Sequence, residues 1–395
     1  MNKKEVKKAP ALRFKGFTND WEQRKLGDIA TFINGRAYSK NELLHQGKYK
    51  VLRVGNFYTN DSWYYSDMEL DKKYYANYGD LLYTWSATFG PHIWKGEKVI
   101  YHYHIWKIIL SDEITKNFTL QLLEHDKNRL LAEKNGSTMI HLTKKDMENK
   151  EIVIPSSTNE QDKVGLLLTK LDYLITLQQR KLKLLRTLKS GLSFKLFNKK
   201  HLNNLSQISL DQIGQTYSGL TGKSKKDFGH GHAFYVSYLN VNQNEIGNPK
   251  QIDRIEIDKK QNLVQKNDIF FTISSETPEE VGLTSLWPVS CKNLYLNSFC
   301  FGFRINTKMF IPLYLGYLFR SEYFREKVLP LAQGISRYNL SKNNVLKIKI
   351  GQEEIAIQEK YAKVMNDLDS DILRQKKKVK ELKLCKKFLL QNMFI

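Results

Sequence analysis

QDKVGLLLTKLDYLITLQQRKLKLLRTLKSGLSFKLF, residues Gln161 to Phe197, decides how the chain is built, because residues 358–394 write the same pattern again. At a 3.5-residue period the first copy places Val164, Leu168, Leu171, Ile175, Gln178, Leu182, Leu185, Lys189, Leu192 and Leu196 on one seam. The second copy places Tyr361, Met365, Leu368, Ile372, Gln375, Val379, Leu382, Lys386, Leu389 and Met393 on its own. Both seams are broken at equivalent places, by Gln178 and Gln375 and by Lys189 and Lys386, at a constant offset of 197 residues. A helix this long cannot leave its apolar seam in water, and the nearest partner is its twin. The pattern predicts two long helices packed antiparallel as a coiled coil, each closing a globular segment. Amphipathic helices packed separately on local cores are the plainer alternative.

The flanking segments repeat as well. Leu210-Asp211-Gln212-Ile213 corresponds to Leu26-Gly27-Asp28-Ile29, Asn240 to Asn56, and Asn267 to Ser274 matches Gly79 to Ser86. Residues 334–342 match residues 136–144. Short β-branched and aromatic runs bounded by turns predict strands at residues 27–29, 32–36, 49–54, 81–84, 100–110 and 152–154, with a helix over Phe118–Leu131. The first 20 residues are expected to form a charged, poorly ordered arm. Ser62-Trp63-Tyr64-Tyr65 has no match in the second half, nor Phe228-Gly229-His230-Gly231-His232 in the first. Two scaffolds carrying unlike loops are expected if each half reads its own target, although drift after duplication would leave the same trace. The fold class is α+β with pseudo-twofold symmetry: two similar β-rich domains alternating with two long helices.

With 395 residues, 41% hydrophobic content and a net charge of +22, the chain has real cores and calls for a polyanionic partner, most simply nucleic acid. Cys291, Cys300 and Cys385 show neither a disulfide framework nor zinc spacing, so a reduced cytoplasmic setting is expected and no metal. No apolar run approaches membrane-spanning length. Gly219-Leu220-Thr221-Gly222-Lys223-Ser224 lacks the first glycine of a phosphate loop, since Tyr217 stands there. His102 and His104, alternating with apolar residues, are read as core histidines, and Gly229-His230-Gly231 as a turn. The absence of a Pro-Pro dipeptide excludes the Asn/Asp-Pro-Pro-aromatic motif of amino-methyltransferases. No nucleophile, base and orienter come together, so the chain is expected to be non-catalytic.

The residues Trp21-Glu22-Gln23-Arg24-Lys25-Leu26-Gly27-Asp28, Gly79 to Ala87, Ile100 to Lys107 and Ser218 to Lys223, in this order, resemble the specificity subunits of type I restriction-modification systems. The layout is similar over nearly the whole length; one departure is that Glu160-Gln161, the family's usual pair at the spacer-helix entry, becomes Ile357-Gln358. The resemblance implies a basic arm at residues 1–20, recognition domains at 21–158 and 199–355, and spacer helices at 159–198 and 356–395. It implies that each domain reads one half of a bipartite site on double-stranded DNA, while the helices set the spacing and dock two modification subunits, two restriction subunits joining for cleavage. Cofactors are then expected only in the partners: S-adenosylmethionine in the modification subunits, ATP and magnesium in the restriction subunits. A helix of about 36 residues spans roughly 54 Å, which accommodates half-sites about 34 Å apart.

Candidate contacts fall on loops at strand ends: Arg36, Tyr38, Ser86, Thr88, Ser137, Thr138 and His141 in the first domain, and Lys223, Lys225, Ser274, Ser275, Arg337, Tyr338 and Asn339 in the second. Arginine and asparagine can pair bidentately with guanine and adenine edges, whereas lysines suit phosphates. For each residue a purely structural role is the competing assignment. Two other readings of the chain stay open: a self-contained DNA methyltransferase or nuclease, which would modify DNA alone, and a scaffold that binds DNA without sequence preference.

Overall fold

The computed structural model describes residues 9–58, 60–86, 88–133 and 142–395. They form two compact units, one running to Arg180 and taking in Lys377–Ile395, the other comprising Lys181–Lys376.

In the first unit, Glu22–Lys25 pairs antiparallel with Glu151–Ile154 and closes the globular segment on itself. A four-stranded antiparallel sheet follows, in the order Ala30–Asn34, Ile105–Leu110, Leu81–Thr84, Gly90–Ile93. Leu81–Thr84 is buried throughout, Leu81, Leu82 and Tyr83 as in a strand covered on both faces and Thr84 with its hydroxyl donating to Gly90 O. A second sheet runs Tyr64–Ser66, Tyr49–Leu52, Val99–Tyr101, Tyr75–Ala76, with Tyr49–Leu52 parallel to Val99–Tyr101. Helix Lys116–Glu133 buries Phe118, Leu122 and Leu123 in a core with Trp21, Phe32, Tyr83 and Trp106.

The second unit repeats this order. Gln207–Ser209 pairs with Lys349–Gly351, and a four-stranded sheet runs Gly214–Ser218, Cys300–Ile305, Ile269–Thr272, Thr284–Leu286. Phe228–Val236 lies antiparallel to Ile252–Ile255 and parallel to Leu294–Leu296, the arrangement of the first unit's second sheet. Asn56 and Asn240 serve alike. The Asn56 amide donates to the carbonyls of Asn60 and Ser62, and that of Asn240 to Asn248 and Gln251, each pinning the loop that follows.

Several expectations need correction. Residues 26–29 form a helical turn, not a strand, because Gly27 is wedged against the backbone of Glu148, whose carbonyl oxygen would lie 2.8 Å from an added Cβ. The expected strand 100–110 is two strands belonging to different sheets, Val99–Tyr101 and Ile105–Leu110. Tyr64–Ser66 does have a counterpart, in topology though not in sequence: Ile252–Ile255. Phe228–His232 is no free turn. It opens the strand Phe228–Val236 with a bulge, both Phe228 and Ala233 facing Ile255, and Gly229 and Gly231 take φ of 90° and 95° to make it.

The two long helices are Thr158–Leu196 and Ile355–Met393, 39 residues each. In the first unit Val164 and Leu168 share a core with Leu390 and Met393, and Lys386 Nζ lies 2.6 Å from Asp172 Oδ1. In the second unit Lys189 Nζ lies 2.6 Å from Asp369 Oδ1, and Phe197 meets Tyr361 edge-on with centroids 6.3 Å apart. Residue numbers fall on one helix as they rise on the other, so the pairing is antiparallel. Two of the polar breaks thereby find their reason. Lys189 and Lys386 each answer an aspartate of the opposite helix, and the aspartates keep the same 197-residue offset.

Each helix is anchored at its start by a fully buried glutamine. Gln161 accepts from Thr115 N at 2.8 Å and donates to Glu113 O and Pro155 O at 2.9 Å each. Gln358 accepts from Ile311 N at 2.8 Å and donates to Met309 O at 3.0 Å and Glu353 O at 2.8 Å. The Glu160-to-Ile357 departure has a local meaning. Glu160 binds Arg13 bidentately at 2.6 and 2.8 Å and accepts from Trp21 Nε1 at 3.3 Å. With Leu12 N on Asn392 O at 2.8 Å and Phe14 packed on the core, the arm is held in place from residue 12 on, where a loose segment was expected.

Candidate nucleic-acid interface

One end of each four-stranded sheet gathers the residues that face outward. In the first unit Ala30–Asn34 runs out into Gly35 and Arg36, and Leu81–Thr84 into Trp85 and Ser86. The chain returns through the turn His102-Tyr103-His104 into Ile105–Leu110. Gly35 permits the closeness, since an added Cβ would lie 2.3 Å from His102 O. Arg36 N donates to Tyr101 O and Tyr103 N to Arg36 O, both at 3.1 Å, so the two loops lock together. Trp85 fixes the third loop: its amide donates to His104 O at 3.1 Å, its indole to Tyr103 O at 2.9 Å, and its ring stacks on Trp106 with centroids 5.7 Å apart.

Charge at this end is balanced locally. Arg36 Nη2 lies 2.6 Å from Glu42 Oε1, and the guanidinium sits 5.3 Å from the Tyr38 ring centroid. The Arg36 hydrogen bond, followed by those from Ser39, pulls the Glu42 carboxyl down to about 2. Tyr38 stacks on His102 at 6.4 Å, and burial pushes its phenol up. His102 is pushed down to about 4, first by burial and then by His104 and Arg53, and burial also lowers His104. Both histidines are therefore neutral near pH 7 and can offer one donor and one acceptor each. They are half-buried on a turn, not core residues: the strand breaks where Arg36 bridges to His102. Tyr103 between them is exposed, and so is Thr88, while Ser86 is half-buried. Ser137, Thr138 and His141 lie outside the described residues.

The second unit has the same frame with other side chains. Gly219 approaches the turn Asn297-Ser298-Phe299, an added Cβ lying 2.0 Å from Asn297 O. Leu220 N donates to Leu296 O at 2.7 Å where Arg36 N donates to Tyr101 O, and Ile273 N donates to Phe299 O at 2.9 Å where Trp85 N donates to His104 O. Ser274 and Ser275 pair with Asn339 and Tyr338, bringing four of the expected residues together. Arg337 is exposed beside them, 5.7 Å from the centroid of the exposed Phe299 ring, and Asn339 Nδ2 donates to Arg337 O at 3.3 Å. Ser275 turns inward, buried, and donates to Glu280 Oε2 at 2.9 Å.

Lys223 and Lys225 sit apart, on the loop after Gly214–Ser218. Lys223 Nζ is 2.8 Å from Asp258 Oδ2 and holds that carboxyl at about 2, helped by Lys260 N and Gln261. Lys225 is exposed and opens a helical turn capped by Ser224 and Asp227. Sequence reasoning missed Trp85, the His102–His104 turn and Phe299. The turn's signal was present in the alternating His-Tyr-His run, which period alone assigned to a strand interior. Among the described residues no group of three or more His, Cys, Asp or Glu side chains could hold a metal ion, and no helix is long and apolar enough to cross a membrane.

Comparison with known proteins agrees with this architecture. Residues 18–187 match the family model described as the type I restriction modification DNA specificity domain. The chain is 24% identical over 404 residues to the type I restriction enzyme MjaVIII specificity subunit of Methanocaldococcus jannaschii, covering 93% of this chain and 90% of the relative. Its fold is similar to the crystal structure of the type I restriction-modification system S subunit from M. genitalium, at a TM-score of 0.66 and 18% identity over 98% of this chain and 99% of that one. It is also similar to a chain from a structure of type I restriction-modification complex assembly and conformational transition, at a TM-score of 0.53 and 13% identity, covering 98% and 99%. The domain model is thus seated on the first unit, the second unit repeats that unit's strand order, and over almost its whole length the chain is similar to specificity subunits of type I restriction-modification systems.

Proposed function

We propose that this chain is the DNA-reading subunit of a type I restriction-modification complex, each unit reading one half of a bipartite duplex site. The observation that carries the reading is a pair of identical frames with unlike contents at one sheet end. Arg36, Trp85 and His102-Tyr103-His104 occupy in the first unit the places that Leu220, Ile273 and Asn297-Ser298-Phe299 take in the second. A common frame keeps the loops at a set depth, and the unlike side chains give each half its own donor and acceptor pattern.

Of the candidate contacts, Arg36, Tyr38, Ser86 and Thr88 border the first frame, and Ser274, Arg337, Tyr338 and Asn339 the second; these are the proposed base-reading positions. Lys225 suits a phosphate. Lys223 and Ser275 hold loops in shape through Asp258 and Glu280. The long helices separate the readers and offer docking for two modification subunits, with two restriction subunits joining for cleavage. The chemistry belongs to those partners, S-adenosylmethionine in the modification subunits and ATP with magnesium in the restriction subunits. This chain positions the reaction in the cytoplasm without performing it. Methylated adenines mapped genome-wide, with and without this chain beside its modification subunit, test the reading. A bipartite motif that vanishes with the chain supports it, and modification by the purified chain alone overturns it.

A further inference from the structure

The loop that follows strand Ile269–Thr272 carries three carboxylates, Glu276, Glu279 and Glu280, at the end of the second unit where its candidate contacts gather. Two of them shape the loop. Glu280 accepts from Ser275 Oγ at 2.9 Å, and its carbonyl takes the Thr272 hydroxyl at 2.7 Å. Glu279 stands beside Arg325, whose guanidinium donates to the carbonyls of Glu279 and Val281 at 2.9 and 2.8 Å. Glu276 is different: it is exposed and has no hydrogen bond or ion pair among the described residues. Ser274 pairs with Asn339 and Ser275 with Tyr338, so the next step of that register sets Glu276 against Arg337. Residues opposed across antiparallel strands stand about 5 Å apart at Cβ, near enough to form an ion pair. Arg337 instead lies over Phe299, and both charges are left open to solvent.

In the alignment of the two halves Glu276 falls where the first carries Thr88, so the carboxylate belongs to one reader alone. Beside a duplex it is repelled by phosphate, and on a chain of net charge +22 that repulsion works against the general attraction. The loss is recovered only where a base offers a donor, because an ionised carboxylate accepts hydrogen bonds and gives none. The major-groove donors are the amino groups of cytosine N4 and adenine N6, and the adenine N7 acceptor beside N6 repels a carboxylate. Arginine is the complement, with donors that suit guanine O6 and N7. We infer that Glu276 accepts from N4 of a cytosine while Arg337 takes the guanine paired with it, so that the half-site of the second unit holds one C·G pair here. Glu276 acts mainly by exclusion, penalising every base without an amino group at that place. This rests on the proposed function and adds a residue that sets specificity, together with the base pair it selects.

The test uses the full chain assembled with its cognate modification subunit, and measures binding to the mapped bipartite site and to every single-pair variant of both half-sites. The wild type should prefer C·G at one position of one half-site by at least about tenfold. Glu276→Gln, whose amide can pair with adenine N6 and N7, should admit A·T at that position and leave the other half-site as it was. Glu276→Ala should lose the preference and yet bind unrelated duplex more tightly than the wild type, a gain that a loop-shaping role would not produce. A cytosine analogue without the N4 amino group at that position should weaken the wild type by at least about tenfold and leave Glu276→Ala unaffected. Arg337→Ala should relax the same pair. An unchanged preference in Glu276→Gln, a shift at a different pair from that of Arg337→Ala, or weaker binding to every sequence overturns the inference, while a bipartite site in the wild type still upholds the function. A wild type with no bipartite preference removes the function and this inference with it.

Discussion

Arg337 shows how a side chain is made ready without being buried. Its backbone leads into Tyr338–Leu340, a strand paired with Ser274–Ser275, while its guanidinium lies over Phe299. If Arg337 reads a guanine edge, as proposed, its side chain gives up less freedom in doing so than a free arginine would. Replacing it with alanine should relax preference at one position of one half-site by about 1–3 kcal/mol, read by binding to single-base site variants. His92 gives a pH readout of the first unit. Burial and then Lys127 hold its ring at about 4, below the ordinary 6.5, while Tyr58 OH sits 3.1 Å from Nε2. The unfolded chain takes up that proton more readily, so the stability held above pH 6.5 is lost as pH falls from 6.5 toward 4. Melting temperature should drop across that window, and His92→Gln should lessen the drop while His102 keeps its own share.

Elements repeat where packing demands it and diverge where nothing does. The seam of the long helices was legible in the sequence because a 3.5-residue period sustained over ten positions has few other meanings, and its polar interruptions were in register. The break at His102 was not legible. A β-branched and aromatic run looks the same whether it is one strand or two strands from different sheets, and only the approach of Gly35 decides. The clamp of Arg13 on Glu160 was hidden for a similar reason, since partners 147 residues apart leave no local pattern. Gln161 and Gln358 make equivalent sets of three hydrogen bonds to backbone that is otherwise unanswered. Gln161→Ala and Gln358→Ala should each cost about 2–4 kcal/mol in denaturant unfolding, each in its own unit, because buried amides and carbonyls lose their partner.

The whole molecule carries its charge unevenly by type: 63 lysines and arginines against 41 aspartates and glutamates. Many of the acids are committed, as Glu42, Asp258, Asp172 and Asp369 are to Arg36, Lys223, Lys386 and Lys189. The surplus is free to attract phosphate, so affinity for DNA should fall about a thousandfold or more between 50 and 200 mM salt. Filter binding or fluorescence anisotropy across that range measures the slope, and a flat response would remove the electrostatic basis of the function. The two-domain architecture and the basic balance were thus readable at the scale of the chain, whereas the surroundings of the candidate contacts were not. Their roles depend on neighbours that the fold supplies, Phe299 for Arg337 and Asp258 for Lys223.

The glutamine at the root of each long helix has a mechanical consequence. Bolted by three bonds to the loops of the globular body before it, the rod cannot swivel there. A torque applied to that body enters the shaft at its root, through Gln161 in the first helix and Gln358 in the second.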